Sequence, residues 1–383
     1  MQFWQKIVKP PNCVSSWRLP VGVFVLIASL SLLAYHQTGP AIPPIFSGDF
    51  VDFSSLLFAS NDSKSGSSCS CIAKEVLVDE AALFREASRV SNCAATCTVD
   101  KGKLALLFLT RGPLPMAPLW ARFLEGHEGL YSIYIHPKPG YEYSQNEFQE
   151  AQPFIGRQVP SEEVGWAALS ELDAERRLLA RALLDPLNQR FMLVSESCIP
   201  IRSFDYTYSQ LMSQELTFLN SFDEVDWWAG RGRYVPQIFL PEVTLEQWRK
   251  GAQWFTATRH DANLIVGDIK YYSNYAAYCQ AVPLCYPAEH YFPTLLYIEH
   301  AEGLANETMT FVDWSQGGAH PKTFFSQDLS PGVIRFIQGL VDCPHTGRTL
   351  QHGAERPCWL IMRKVAAESL NHLLSLSPDV LGY

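Results

Sequence analysis

Charge is scarce in this sequence, and what there is leans acidic. Only 18% of the 383 residues are charged, and 30 Lys and Arg face 39 Asp and Glu for a net charge of −9. A surface of that sign offers no electrostatic footprint for a phosphate backbone, which argues against nucleic acid as a partner. Glycine-rich phosphate loops are missing, so neither a Rossmann dinucleotide site nor a P-loop is expected. Ser195 and Ser197 lack a G-x-S-x-G setting, which leaves a serine hydrolase without support. No cysteine cluster is followed by a second pair at zinc-ligand spacing, and the histidines are scattered, which argues against a structural zinc site. There is no internal repeat.

What is present begins with an address. Leu19 to Tyr35, LPVGVFVLIASLSLLAY, holds no charge and is close to the lower limit of a bilayer span, about 17–25 residues. Lys6, Lys9 and Arg18 precede it, and Asp49 and Asp52 are the first charges after it. The positive-inside rule then makes residues 1–18 a cytosolic tail, 19–35 a signal anchor, and the remainder lumenal. A cleaved signal peptide fits less well, because no small-x-small cleavage site follows the apolar run. Residues 36–100 read as a stem and cysteine-containing lead-in, rich in Pro, Ser and Gly to about residue 68, with a helical stretch near Lys74 to Arg89. Of ten cysteines only Cys13 precedes the anchor; the remaining nine predict disulfides in an oxidising lumen, with at least one thiol left over. Sequons at Asn61 and Asn306 are usable in the same compartment.

Residues 101–383 read as one α/β domain. Leu104 to Leu109 is a continuous apolar run, as expected for a strand buried on both faces of a parallel sheet. A helix over Ala117 to Leu124 and a strand over Tyr131 to His136 complete a βαβ unit. Ligands of such sheets bind at the carboxyl ends of the strands, where Thr110, Arg111 and His136 fall. Leu169 to Leu184 predicts an amphipathic helix with Leu172, Leu178, Leu179, Ala182 and Leu183 as its apolar face; Asp173 and Glu175 read as acids of its first turn. Phe191 to Val194 predicts a third strand, running into a polar loop that carries Glu196. A helix is expected over Ala257 to Ser273, and short strands over Met309 to Trp314 and in the Cys358–Lys364 tail.

Two stretches carry chemistry. From Ser221 to Trp254 the chain is aromatic and cationic, with Asp223, Arg231, Arg233 and Trp254 as candidate sugar-binding residues, since indoles stack on sugar faces and Arg forks hold anions. The other is Tyr278 to Leu296, YCQAVPLCYPAEHYFPTLL. Glu289 follows Pro287 in a turn-prone segment, with His290 and several aromatics beside it. Desolvation by aromatic walls would raise its pKa toward that of a general base.

Seven ordered blocks over about residues 100–375 give the chain a resemblance to the plant branch of the Core-2/I-branching glycosyltransferases, glycosyltransferase family 14. They are LALLFLTRGPLPMAPLWARFLEGHEGLYSIYIH, DAERRLLARALLDP, NQRFMLVSESCIPI, WRKGAQWF, CYPAEHYFPTLL, FVDWSQGGAHPKTF and CWLIMRK. The resemblance implies a GT-A-like, Rossmann-type mixed sheet flanked by helices, in a single-pass type II Golgi membrane enzyme. It implies an inverting transfer from a UDP-sugar, GlcNAc-like or GlcA-like, to a glycan acceptor on a glycoprotein or polysaccharide. No metal is expected, in keeping with the lack of a D-x-D motif. Glu289 corresponds to the family's base and Lys364 to its leaving-group lysine. Phe311, Asp313 and Trp314 would line the cleft, and Arg335 or Arg363 would supply the second diphosphate cation. Glu307 and Lys322 depart from the family pattern and put the donor site in question. A catalytically silent glycan-binding or scaffold protein on the same fold is the competing expectation.

Overall fold

A computed structural model describes residues 79–94, 101–340 and 359–383. The expected tail, anchor, most of the stem and Asn61 lie outside the described residues. No helix among the described residues is long and apolar enough to cross a membrane.

A lead-in helix α1 (Glu80–Ala94) precedes strand β1 (Lys103–Leu109), helix α2 (Ala117–Leu124) and strand β2 (Tyr131–His136). Helix α3 (Leu169–Leu183) then leads to β3 (Asn188–Ser195), β4 (Ile199–Pro200) and helix α4 (Phe204–Met212). A long non-repetitive segment follows before β5 (Thr256–Thr258), helices α5 (Arg259–Gly267), α6 (Lys270–Ala281) and α7 (Pro287–His300), and β6 (Thr310–Val312). The chain closes with helix α8 (Pro331–Gln338), β7 (Ile361–Arg363) and helix α9 (Leu370–Leu376).

The principal sheet has the order β2-β1-β3-β5. β1 is parallel to both β2 and β3, and β5 closes the edge antiparallel to β3. Leu104 to Phe108 are wholly buried on both faces. On one of them Phe108 meets Trp120 of α2, ring centroids 5.3 Å apart. The expected apolar face of α3, Leu172, Leu178, Leu179, Ala182 and Leu183, is fully buried. A second sheet, β4-β7-β6, lies beyond the carboxyl end of β3 and is tied to it by the four-residue step from Ser195 to Ile199.

Three local expectations are corrected. The helix expected over Ala257 to Ser273 is a strand, a helix ending at Gly267, and a new helix from Lys270; Asp268 caps the new helix by accepting from the Tyr271 and Tyr272 N–H groups. Asp173 and Glu175 do not sit in the first turn of α3, where Glu171 stands instead. Glu175 is fully buried and Asp173 accepts from the Tyr272 hydroxyl. Glu289, finally, is in the first turn of helix α7 and not in a loop.

Candidate active site

Glu289 is placed by a helix that cannot bond to itself in the usual way. Pro287 opens α7, and Pro293 stands inside it. Having no N–H, Pro293 cannot donate to the carbonyl four residues earlier, which is that of Glu289. The Gly251 N–H takes this carbonyl instead, at 2.8 Å. Neighbouring bonds extend the seam: the Arg249 N–H donates to Thr294 Oγ1, and His290 Nδ1 donates to the Arg249 carbonyl at 2.9 Å. Lys250 is thereby held beside Glu289, its Nζ 3.4 Å from Oε2. Arg233 Nη1 reaches the same oxygen at 3.3 Å. Oε1 makes no hydrogen bond among the described residues.

The surroundings of Glu289 differ from the expected aromatic wall. Its side chain is 31% exposed and faces two cations. His290 is the desolvated neighbour: wholly buried and stacked on Trp248, it is pushed down by burial to about 3 and stays neutral. With Nδ1 donating to a carbonyl, its Nε2 accepts from Arg233, 3.4 Å away. Arg233 also lies over the Tyr286 ring at 4.1 Å, and Trp166 packs on both Tyr286 and His320. The loops around residues 166, 233 and 320 therefore meet at the amino end of α7.

A set of cations forms the other end of the site. Arg363, at the end of β7, stacks on Trp254 at 4.0 Å, and its buried Nε has no hydrogen-bond partner among the described residues. Lys364 follows it. Burial first, then Arg363 and Arg111 nearby, hold the Lys364 ammonium below its ordinary value. Like charges assembled in a half-buried place are the setting in which an anion is bound. Glu196, at the carboxyl end of β3, accepts from Arg111 Nε at 3.1 Å and acts electrostatically on both Arg363 and Lys364.

One segment spans the two ends. Lys250 and Gly251 hold Glu289, Trp254 carries Arg363, and between them Gln253 Nε2 donates to Glu171 at 3.1 Å and to Glu175 at 2.7 Å. The charges of Glu289 and Arg363 both act on Glu171, whose carboxyl is raised above the ordinary range chiefly by burial. Burial likewise raises Glu175 well above that range. Glu175 was read only as an acid of the first turn, and Glu171, Lys250, Tyr286 and Trp166 were not singled out. The signal for Glu175 was available: three residues after Leu172 and four before Leu179, it occupies a core position of the helix.

The remaining candidates are placed as follows. Thr110 and His136 are buried at the strand ends and engaged internally, Thr110 with Tyr143 and Gly112, His136 with Arg177 Nη1 at 3.0 Å. Neither is brought to the surface of the site; the strand ends they terminate are roofed by the following loops. Burial takes His136 down to about 4. Arg231 and Asp223 form a bidentate pair, with both contacts at 2.7 Å, that shapes the loop presenting Arg233. Trp254 is only 6% exposed and lies beneath Arg363, so it is not an open sugar platform. Phe311 packs against Phe324 and Trp359. Asp313 Oδ1 accepts from the Ser315 N–H, and Trp314 beside it is half exposed. Arg335 donates to the Asp379 carbonyl, a contact with no other candidate. Asn306 is half-buried in the left-handed region and accepts from the Ser221 N–H, so it has an internal role whatever its modification. Cys279 and Cys285 form a disulfide just before α7, and Cys198 is a buried free thiol.

Among the described residues, His260, Asp261 and His300 group their ligand atoms closely enough to hold a cation. Asp261 is already met by both imidazoles and the Thr217 hydroxyl. His300 lies eleven positions beyond Glu289 on α7, about 16 Å along the axis. The group is not part of the cleft.

A mixed sheet with a parallel core, flanked by helices, fits a GT-A-like fold. The comparison with known proteins gives the family. The sequence model of the Core-2/I-Branching enzyme family matches residues 104–338, more than half of the chain. The chain is also 33% identical over 312 residues to "Glycosyltransferase BC10" of Oryza sativa subsp. japonica, covering 72% of this chain and 76% of that protein. The chain belongs to the Core-2/I-branching enzyme family and is a glycosyltransferase.

Proposed function

We propose that the protein is an inverting, metal-independent transferase that moves a sugar from a UDP-sugar to a glycan, and that it does so in the Golgi lumen as a type II membrane protein. The observation that carries this reading is the Lys250–Trp254 segment, which meets Glu289 at one end and Arg363 at the other. Among the described residues Oε1 of Glu289 accepts no hydrogen bond, and Arg363 and Lys364 have Glu196 nearby but form no close ion pair with it. Inversion requires a carboxylate on the face of the sugar opposite the leaving group. Glu289 takes the proton of the acceptor hydroxyl through Oε1 while Arg233 and Lys250 fix its other oxygen. Negative charge develops on the departing diphosphate, where Lys364 and Arg363 stand preorganised to meet it. No step calls for a divalent ion. The absence of a D-x-D motif supports the same conclusion.

The test is UDP release by the detergent-solubilised full-length protein with a panel of UDP-sugars and glycan acceptors, in EDTA. Release with at least one donor is expected, with loss of at least about a thousandfold in Glu289→Gln, the scale of removing an essential base. Release that requires added Mn²⁺, or that survives in the variant, would refute the metal-independence or the role of Glu289. A protein that binds glycans without binding UDP would be the silent scaffold instead.

A further inference from the structure

We propose that Glu171, held by Gln253, forms the wall of the donor pocket against the transferred sugar and restricts the donor to uncharged sugars, excluding uronates. The inference rests on the transferase reading above and goes beyond it by choosing between the two donor classes. In an inverting displacement the anomeric carbon lies between the base and the leaving diphosphate. The segment from Lys250 to Trp254 bridges those two points, with Glu289 at its start and Arg363 at its end. Its four Cα steps reach at most about 14 Å. Gln253 stands between, and its amide holds Glu171 beside that segment, where we place the sugar ring.

Both oxygens of Glu171 are oriented before any substrate arrives. Oε1 accepts from Gln253 Nε2, and Oε2 from the Ala167 N–H at 3.0 Å. The Ala167 carbonyl in turn accepts from the Tyr286 N–H at the start of α7, so the wall and the base are built on one connected backbone. Each carboxyl oxygen keeps a lone pair for a sugar hydroxyl or amide N–H. The charge inventory excludes an acid in the same place. Arg233 and Lys250 are engaged with Glu289, and the transferase reading assigns Arg363 and Lys364 to the diphosphate. Among the described residues, a uronate would therefore stand between two carboxyls with no cation of its own, a costly placement in a half-buried site.

The experiment is calorimetric binding of UDP, UDP-glucose, UDP-N-acetylglucosamine and UDP-glucuronic acid to the full-length protein, wild type and Glu171→Gln. Binding needs no knowledge of the acceptor. At least one neutral donor is expected to bind at least about fivefold more tightly than UDP-glucuronic acid, the scale of a single like-charge contact. Glu171→Gln is expected to narrow that gap, read as each donor's affinity relative to that of UDP on the same protein. Equal or tighter binding of UDP-glucuronic acid by the wild type overturns the proposal and leaves the transferase reading standing. A gap that Glu171→Gln does not change removes Glu171 from the role. Failure to bind UDP at all overturns the transferase reading and the inference together. The wild-type comparison decides the donor class even where the variant does not fold.

Discussion

At Glu289, Arg233 and Lys250 both act on Oε2, and Oε1 makes no hydrogen bond among the described residues. Both contacts are half exposed, and ion pairs of that kind contribute little to stability, about 0–1 kcal/mol. Their value is orientation. Arg233→Ala is accordingly expected to lower UDP release at least about tenfold while shifting unfolding free energy by no more than about 1 kcal/mol. A parallel loss of both in kinetic and denaturation measurements would mean that Arg233 is a structural residue. Glu289 was singled out in the sequence as an acid in a Pro-x-Glu-His block, and the resemblance made it the candidate base. Its environment was not legible there, because Arg233 comes from a loop 56 residues earlier. Desolvation fell on His290, one position further along α7, because a helix turns successive side chains by about 100°.

Helix α7 is the element that decides the geometry of the site. Its internal proline frees the Glu289 carbonyl for Gly251, and a Cβ at Gly251 would overlap the Asn220 carbonyl oxygen. Gly251→Ala should therefore push the Lys250–Trp254 segment off α7 and reduce both donor affinity and turnover. An alanine variant with wild-type kinetics would show that the seam is dispensable. The Cys279–Cys285 disulfide closes a short loop, with a separation of six residues, before the helix. Removing both cysteines as Cys279→Ser/Cys285→Ser should cost about 2 kcal/mol in equilibrium denaturation, from the chain entropy of a loop that size. A change under about 0.5 kcal/mol would show that the α6–α7 packing alone holds the turn.

For the molecule as a whole, buried titratable groups make stability depend on pH in two opposed ways. Folded His290 and His136 hold off protonation to about 3 and about 4, whereas unfolded imidazole takes a proton near 6.5. The unfolded state binds more protons between these values. The stability these histidines contribute is thus present above about pH 6.5 and is lost as pH falls toward 4. Glu175 works in the other direction. Its folded carboxyl titrates well above the unfolded value, so its contribution is complete below about pH 4.3 and is lost as pH rises. Glu175→Gln keeps the acceptor for Gln253 and removes the ionisation. It should raise the melting temperature more at pH 8 than at pH 5, measured by thermal unfolding across that range. An equal shift at both pH values would mean that Glu175 is paired in a way that keeps its charge.

The sequence by itself determined the leading β1–α2–β2 unit, helix α3 and strand β3, and their order. Apolar runs mark β1, β2 and β3, alternation at helical spacing marks α3, and the blocks around Glu289 and Lys364 mark the candidate site residues. These signals are local, because a period or a motif is written in consecutive residues. Only the tertiary structure decided what each site residue faces. It paired Glu289 with Arg233 and Lys250, placed Trp254 under Arg363 and not in the open, buried Thr110 and His136, and brought Glu171 to Gln253. Those outcomes depend on contacts between segments far apart in the chain, and such contacts leave no period in the sequence. The burial of Glu175 lies between the two cases, since its position on the apolar face of α3 can be read in advance but its Gln253 partner cannot.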